Sequence, residues 1–238
     1  MFPPVKITKF TDETKNLLSE LSKKVNFDQV KKAFARLHRE NVFNRRFSGV
    51  LDSFSDFQTV AERLDENIER LILIERKAQK QDKIDQDLYK KADKLIRQNR
   101  TDLKNLYVNA KIFLDEYTNL LGFIFNWRGV QSRSITRFYN SLKDYSESDK
   151  DVLAFKENCL KKLKVIDVYI TEYRVHEVVH NQEKHKQTTK WFINEMDGRI
   201  RFIGGGRPSL IPQEVTFVVA QYIQCSQAFC LNWLDSKL

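Results

Sequence analysis

Two long stretches of the sequence, residues 57–72 and 103–124, repeat apolar side chains at alternating spacings of three and four positions. Side chains with this spacing lie on one face of an α-helix. Two such faces in succession are what an antiparallel pair of helices needs in order to bury its seam. Aromatic residues in the second stretch favour the core of a globular bundle over a coiled coil between chains. The sequence therefore predicts an all-α fold, a multi-helix bundle organised around these two helices.

The composition supports this fold class. Only seven Gly and four Pro occur in 238 residues, which leaves few residues for the tight turns of a sheet-rich fold. Charged residues make up 31% of the chain, a fraction typical of long helices with a solvated face. Seventeen Phe, eight Tyr and three Trp supply ample side chains for a core.

Helix boundaries are indicated by side chains that can cap an N-terminus. Ser, Thr, Asn and Asp accept hydrogen bonds from the first backbone N–H groups of a helix, and proline is favoured in its first turn. Two prolines exclude helix at the very start of the chain, and residues 5–10 are expected to be an extended arm. The predicted helix starts are Thr11 or Asp12, Asn26 or Asp28, Ser53 or Ser55, Ser134, Ser148 or Asp149, and Pro212.

A change of pattern after residue 186 predicts a small β-hairpin before the C-terminal helix. Apolar and polar residues alternate on both sides of Met196-Asp197-Gly198, and an Asp-Gly pair is typical of a tight hairpin turn. No fixed-period repeat and no long linker divides the chain. We therefore expect a single helical-bundle domain, with a helical core over residues 11–186, the hairpin over 188–203 and the last helix over 212–236.

The sequence predicts neither a membrane-spanning segment nor a secretory signal. The longest apolar stretch, residues 120–127, is too short to span a bilayer, and the N-terminus lacks the basic and apolar regions of a signal peptide. Cys159, Cys225 and Cys230 lie in helical apolar patterns and lack metal-ligand spacing, so they are expected to be buried, reduced thiols. These features predict a cytoplasmic protein.

The chain carries a formal net charge of +9, which favours contact with nucleic acid or another acidic surface. Many of the basic side chains crowd one region, where they form either a solvated face or a set of phosphate contacts. That region contains Lys31, Lys32, Arg36, Arg39, Arg45 and Arg46.

Three of the four histidines lie together, at residues 176, 180 and 185. His176-Glu177-Val178-Val179-His180 has the spacing of a zinc protease, which places two imidazoles one helical turn apart with a carboxylate beside the first. The neighbouring Arg174 opposes a divalent cation, and no third ligand follows at a suitable distance. The sheet that usually accompanies such a helix is also absent from the prediction. A zinc-dependent hydrolase is therefore the second choice for this segment.

The same segment contains a second pattern, Arg174 followed after five residues by His180. Tyr173-Arg174 and the run Glu177-Val178-Val179-His180-Asn181 strengthen it. With these residues near the end of a predicted bundle helix, the chain resembles the HEPN superfamily of helical-bundle ribonucleases. One departure is Val175, because the residue after the arginine is commonly polar in that superfamily.

The resemblance implies an RNA endonuclease that needs neither metal nor cofactor. Arg174 would stabilise the charge on the pentacoordinate phosphorus, and His180 would act as general acid or base. We assign substrate contacts to His176 and Asn181. On a straight helix Arg174 and His180 point about 120° apart, so one helix can bring them together only if it kinks or frays near His180. Alternatively, a second copy of the chain supplies the missing half of the site, and the resemblance implies such a homodimer.

The resemblance also makes a toxin or antiviral defence effector the expected role, and we allow for a regulatory protein partner. Histidines on a solvated helix end can also serve solubility alone. A third interpretation therefore stays open, a helical interaction module without catalysis.

Overall fold

Helices form nearly all of the described structure. The computed structural model describes residues 6–33, 40–78, 86–167, 170, 190–194, 199–203 and 212–237. Within these ranges the chain is mostly helical, which confirms the all-α fold class. The helices are α1 (Thr8–Lys24), α2 (Phe27–Ala33), α3 (Glu40–Ala78), α4 (Gln86–Phe125), α5 (Ile135–Lys143), α6 (Lys150–Ile166) and α7 (Pro212–Lys237).

Helices α3 and α4 form the antiparallel pair that the two apolar stretches predict. Later residues of α3 contact earlier residues of α4. Arg46 Nη1 donates to the Asn119 backbone oxygen over 3.1 Å near one end of the pair. Arg63 Nη2 lies 2.9 Å from Asp102 Oδ1 further along it. The two helices are therefore antiparallel.

The predicted start of α3 at Ser53 or Ser55 is wrong, because the helix already begins at Glu40. Ser53 is buried inside the helix, and its hydroxyl donates to the Gly49 backbone oxygen over 2.8 Å. A serine in the middle of a helix can satisfy its hydroxyl in this way on the preceding turn. A capping residue type therefore does not by itself mark a helix end.

The first helix also begins earlier than predicted, at Thr8 and not at Thr11 or Asp12. The cap comes from a distant part of the chain. Asp65 of α3 accepts hydrogen bonds from Ile7 N over 2.9 Å and from Thr8 N over 2.8 Å. A carboxylate at a helix N-terminus satisfies free N–H groups and complements the helix dipole. The expected extended arm over residues 5–10 is thus replaced by helix from Thr8 onward.

The other predicted helix starts are confirmed. Asn26 Oδ1 accepts from Gln29 N over 2.9 Å at the start of α2, and Ser134 Oγ accepts from Arg137 N over 3.4 Å at the start of α5. Asp149, not Ser148, caps α6 by accepting from Asp151 N over 2.9 Å. Pro212 is the first residue of α7.

A cluster of aromatic rings joins the ends of α4, α6 and α7. The Phe125 and Trp127 rings stack with 4.1 Å between their centroids. The Phe155 ring of α6 and the Phe229 ring of α7 meet edge to face 5.1 Å apart. Aromatic pairs of this kind add stability beyond the burial of their area. The core that they belong to includes buried residues from all seven described helices.

Two short strands follow the last described part of α6. They are β1 (Lys190–Asn194) and β2 (Arg199–Ile203), which pair antiparallel with Lys190 opposite Ile203. Residues 195–198 lie outside the described residues, so the turn at Met196-Asp197-Gly198 stays a prediction.

The outer ends of α3 and α4 form a distinct region, which we call the distal arm. It comprises the described residues 72–78 and 86–98. No side chain in these two ranges whose exposure is described is buried, and Leu73 is 55% exposed. The half-buried side chains Ile72, Ile74, Ala92 and Leu95 have the exposure expected of a two-helix seam without a third layer.

No helix in the ranges that the structure describes has both the length and the apolarity to cross a bilayer.

Candidate functional site

Helix α6 leads along the chain toward the predicted catalytic segment. Its buried side chains include Phe155, Cys159 and Leu163, which lie in the apolar stripe that the sequence predicts. Ile166 ends the helix and is buried, and Ile170, four positions later, is buried as well. The apolar stripe is thus confirmed up to four residues before Arg174.

The predicted site residues themselves, Arg174, His176, His180 and Asn181, lie outside the described residues. Their roles therefore stay predictions. The same holds for the zinc hypothesis, since it rests on His176 and His180. Among the described residues, no three side chains of His, Cys, Asp or Glu gather in a group that could hold a metal ion.

The start of α6 is fixed to the end of α7. Trp233 Nε1 donates to Asp151 Oδ2 over 2.8 Å, and Lys237 Nζ lies 2.9 Å from the same oxygen. Burial raises the pKa of the Asp151 carboxyl, but the hydrogen bonds from Lys237 and Trp233 outweigh burial and hold that pKa below its usual range. An ionised carboxylate therefore joins the start of α6 to the end of α7.

Three lysines lie in the last two turns of α6. Lys161 and Lys164 are exposed and Lys162 is half-buried. Cations at this end of a helix are stabilised by its dipole, which explains them without any ligand. They also form the described basic surface that lies nearest in sequence to Arg174, ten residues after Lys164.

A second basic surface runs along α4, and we call it the α4 basic face. Lys90, Lys94, Arg97 and Lys104 are spaced by four, three and seven positions, so they lie on one face of the helix. That face is roughly opposite the buried seam and about 21 Å long. Arg97 pairs with Asp93 on the same helix, and Lys90 and Lys94 are exposed. A row of cations of this length can follow a nucleic-acid backbone.

The basic region predicted near the N-terminus is only partly described. Arg46 is a structural residue, because its guanidinium bonds to Asn119 and lies 5.6 Å from the centre of the Phe123 ring. Arg45 is exposed. The side chains of Lys31, Lys32, Arg36 and Arg39 lie outside the described residues. Arg45 therefore remains a candidate for phosphate contact, whereas Arg46 does not.

The seam between α3 and α4 contains a polar cluster that the sequence does not predict. Asp102 is buried, lies 2.9 Å from the Arg63 guanidinium, and accepts from Asn67 Nδ2 over 3.5 Å. Burial raises the pKa of the Asp102 carboxyl, although Arg63 opposes that effect. Asn99, three positions before Asp102 in α4, is also buried. The break in the apolar stripe before Leu103 is the sequence signal that marks this cluster.

A pair of thiols that the sequence does not predict lies between α6 and α7. Cys159 of α6 and Cys225 of α7 lie with their sulfur atoms 2.9 Å apart, and both are free. Cys225 is half-buried, not buried as expected. No spacing rule connects two cysteines on separate helices, so only the packing of α6 on α7 brings them together.

No protein-family model matches this sequence, and neither a curated protein nor a solved structure matches it.

Proposed function

We propose that the chain is a metal-independent RNA endonuclease of HEPN type that acts as a homodimer. The observation that carries the proposal is the Arg174–His180 motif, placed in the chain just after a helix of an all-α bundle. The net charge of +9 and the lysines at the end of α6 support an anionic substrate.

Each proposed residue has one task in the reaction. The ribose 2′-oxygen attacks the neighbouring phosphorus and the 5′-oxygen leaves. His180 removes or supplies a proton as general base or acid, and Arg174 stabilises the extra negative charge on the phosphate oxygens. His176 and Asn181 contact the RNA. Since no step needs a Lewis acid, the proposed reaction proceeds without a metal.

The direct test is RNA cleavage by the purified chain and by Arg174→Ala in the presence of EDTA. We expect Arg174→Ala to lower the cleavage rate by about 100-fold or more, because a charge-stabilising group contributes on this scale. Its circular dichroism and melting temperature should match those of the unmodified chain. Cleavage that survives Arg174→Ala would refute the proposed site.

The homodimer has a separate test. If each active centre draws Arg174 from one protomer and His180 from the other, mixed dimers of Arg174→Ala and His180→Ala contain one complete centre. Mixing the two inactive variants should therefore restore part of the activity. Dimers without any restored activity would place both residues of a centre in one protomer.

The α4 basic face provides a test of RNA binding apart from cleavage. Replacing Lys90 and Lys94 by Glu should weaken RNA binding and reduce its dependence on salt, because fewer counterions are released. The matched control is the double replacement of the exposed Lys15 and Lys23 of α1 by Glu, with the same change of charge. Equal losses in the two variants would show that only total charge matters.

The proposal includes a cytoplasmic role as a toxin or antiviral defence effector. Expression of the chain should then arrest growth and degrade cellular RNA, and Arg174→Ala should abolish both effects. Growth arrest by Arg174→Ala as well would separate toxicity from RNA cleavage.

A further inference from the structure

Two cysteine side chains meet where α6 packs on α7. Cys159 Sγ lies 2.9 Å from Cys225 Sγ, although 66 positions separate them in the sequence. A disulfide joins sulfur atoms about 2.05 Å apart, so the two atoms need to approach by only about 0.9 Å. The pair is thus reduced and already in position for bond formation.

The two thiols differ in how readily they ionise. The hydrogen bond from Cys159 lowers the pKa of Cys225, burial opposes this, and the charge of Lys162 lowers it further, to about 7. The same hydrogen bond raises the pKa of Cys159, and burial raises it too. Of the two thiols, Cys225 is therefore the one that ionises first, while Cys159 keeps its proton.

Two buried tyrosines interact electrostatically with the pair. They are Tyr117 of α4 and Tyr222 of α7, and burial raises the pKa of both phenols, so they stay neutral. When the Cys225 thiol is neutral, its S–H group donates a hydrogen bond to the Asn158 backbone oxygen, 3.3 Å from the sulfur. Cys159 is buried, whereas Cys225 is half-buried and so reachable by a small oxidant.

We propose that Cys225 and Cys159 form an oxidation site at which a hydroperoxide converts the free pair into a disulfide between α6 and α7. The inference does not depend on the proposed RNA cleavage. Thiolate character, partial exposure and an adjacent second thiol are the features of cysteines that undergo reversible oxidation.

The chemistry proceeds in two balanced steps. The Cys225 thiolate attacks one peroxide oxygen, the O–O bond breaks, and Cys225 becomes a sulfenic acid while the other oxygen leaves as an alcohol or water after taking a proton. Cys159 sulfur then attacks Cys225 sulfur, the S–O bond breaks, and the Cys159 proton leaves with the hydroxide as water. The hydroperoxide supplies both oxidising equivalents.

The bond would close a covalent loop around the segment that contains Arg174 and His180, since both lie between Cys159 and Cys225 in the sequence. It would also stabilise the folded chain, because it restricts the unfolded state. We expect the melting temperature to rise by about 5–10 °C on oxidation and to return on reduction.

The test treats the reduced full chain with hydrogen peroxide and follows its intact mass and a non-reducing peptide map. The expected result is a loss of two hydrogen atoms, a Cys159–Cys225 peptide and reversal by dithiothreitol. Alkylation of the reduced chain should modify Cys225 at least about tenfold faster than Cys230, whose pKa burial raises to about 12. The Cys225 rate should rise with pH around pH 7.

Matched variants separate the pair from the third cysteine. Cys230→Ala should form the bond as the unmodified chain does, whereas Cys225→Ala should form none. Cys159→Ala should stop at a sulfenic acid on Cys225, which a dimedone probe captures. Peroxide treatment that leaves both thiols free, oxidises Cys225 further without a cross-link, or joins separate chains would overturn the proposal.

Discussion

The two halves of the α3–α4 pair share one type of apolar pattern but differ in what covers them. In the half formed by residues 43–68 and 103–125, rings such as Phe57 and Phe113 are fully buried and stack 6.1 Å apart. In the distal arm, Leu73 of the same helix α3 is 55% exposed. Periodicity thus identifies the apolar face of a helix. Whether that face is fully buried depends on how many other helices pack against it.

The two halves also differ in the side chains that they offer for binding. The covered half holds the bundle together, while the distal arm carries basic side chains of the α4 basic face and little buried surface. An arm of this kind costs little stability to modify. It is therefore the region where binding can change without loss of the fold.

Loss of a buried ring in the covered half should reduce stability more than any other change considered below. Phe57→Ala should lower the free energy of unfolding by about 3–5 kcal/mol, because it removes a buried ring and leaves a cavity. Leu73→Ala in the distal arm should cost less than about 1 kcal/mol. Urea denaturation followed by circular dichroism measures both. Similar losses would show that the arm is packed as tightly as the bundle.

Two glycines of the covered half differ in the space around them. A Cβ atom at Gly122 would lie 1.8 Å from Ser132 Oγ and 2.1 Å from Ser132 Cβ, so Gly122→Ala should destabilise the fold by about 1–3 kcal/mol. A Cβ atom at Gly49 would meet its nearest neighbour, Glu116 Oε2, at 3.4 Å. Gly49→Ala should therefore stabilise α3 by up to about 1 kcal/mol. A stable Gly122→Ala would mean that the loop after α4 can move away from that helix.

A third prediction concerns the boundary between the two halves, where α1 begins against α3. Asp65→Ala should cost about 1–2 kcal/mol, because it leaves the N–H groups of Ile7 and Thr8 without their acceptor. The matched control is Glu69→Ala one turn further along α3, which loses only an exposed pair with Lys6. Exposed pairs contribute little. Thermal melting should separate the two variants, and equal melting temperatures would exclude Asp65 as the cap.

The smallest effect lies in the polar cluster beside the distal arm. The pKa of Asp102 is raised in the folded chain, so the stability it contributes is fully present below the unfolded pKa of 3.8 and is lost as pH rises through the folded value. Asp102→Asn cannot ionise and avoids this loss. The melting temperature of Asp102→Asn minus that of the unmodified chain should therefore increase between pH 4 and pH 7. A difference that decreases over this range would show that pairing with Arg63 outweighs burial.

The sequence predicts a helix well where residues within that helix determine its position. The stripes of α3, α4 and α6 and the caps at Asn26, Ser134 and Asp149 are local features, and they are found as predicted. The starts of α1 and α3 are missed because their causes are not local. Asp65 caps α1 from 57 positions away, and Ser53 turns its hydroxyl onto its own helix.

The site shows the same division between local and distant causes. The Arg174–His180 motif and the charge of the chain are visible in sequence, since both depend on residue identity alone. The meeting of Cys159 with Cys225 depends on how α6 packs against α7, and no pattern within either helix encodes it. The role of Arg46 also depends on packing. The sequence assigns it to a basic region, but in the fold its guanidinium lies over the Phe123 ring.

The most direct test of the proposed chemistry compares His180→Ala with His176→Ala in RNA cleavage, with EDTA present throughout. General acid–base catalysis by His180 predicts a loss of about 100-fold or more for His180→Ala and a much smaller loss for His176→Ala, with full activity of the unmodified chain in EDTA. Cleavage abolished by EDTA, together with equal losses in the two variants, would contradict the account and assign both histidines to a zinc ion.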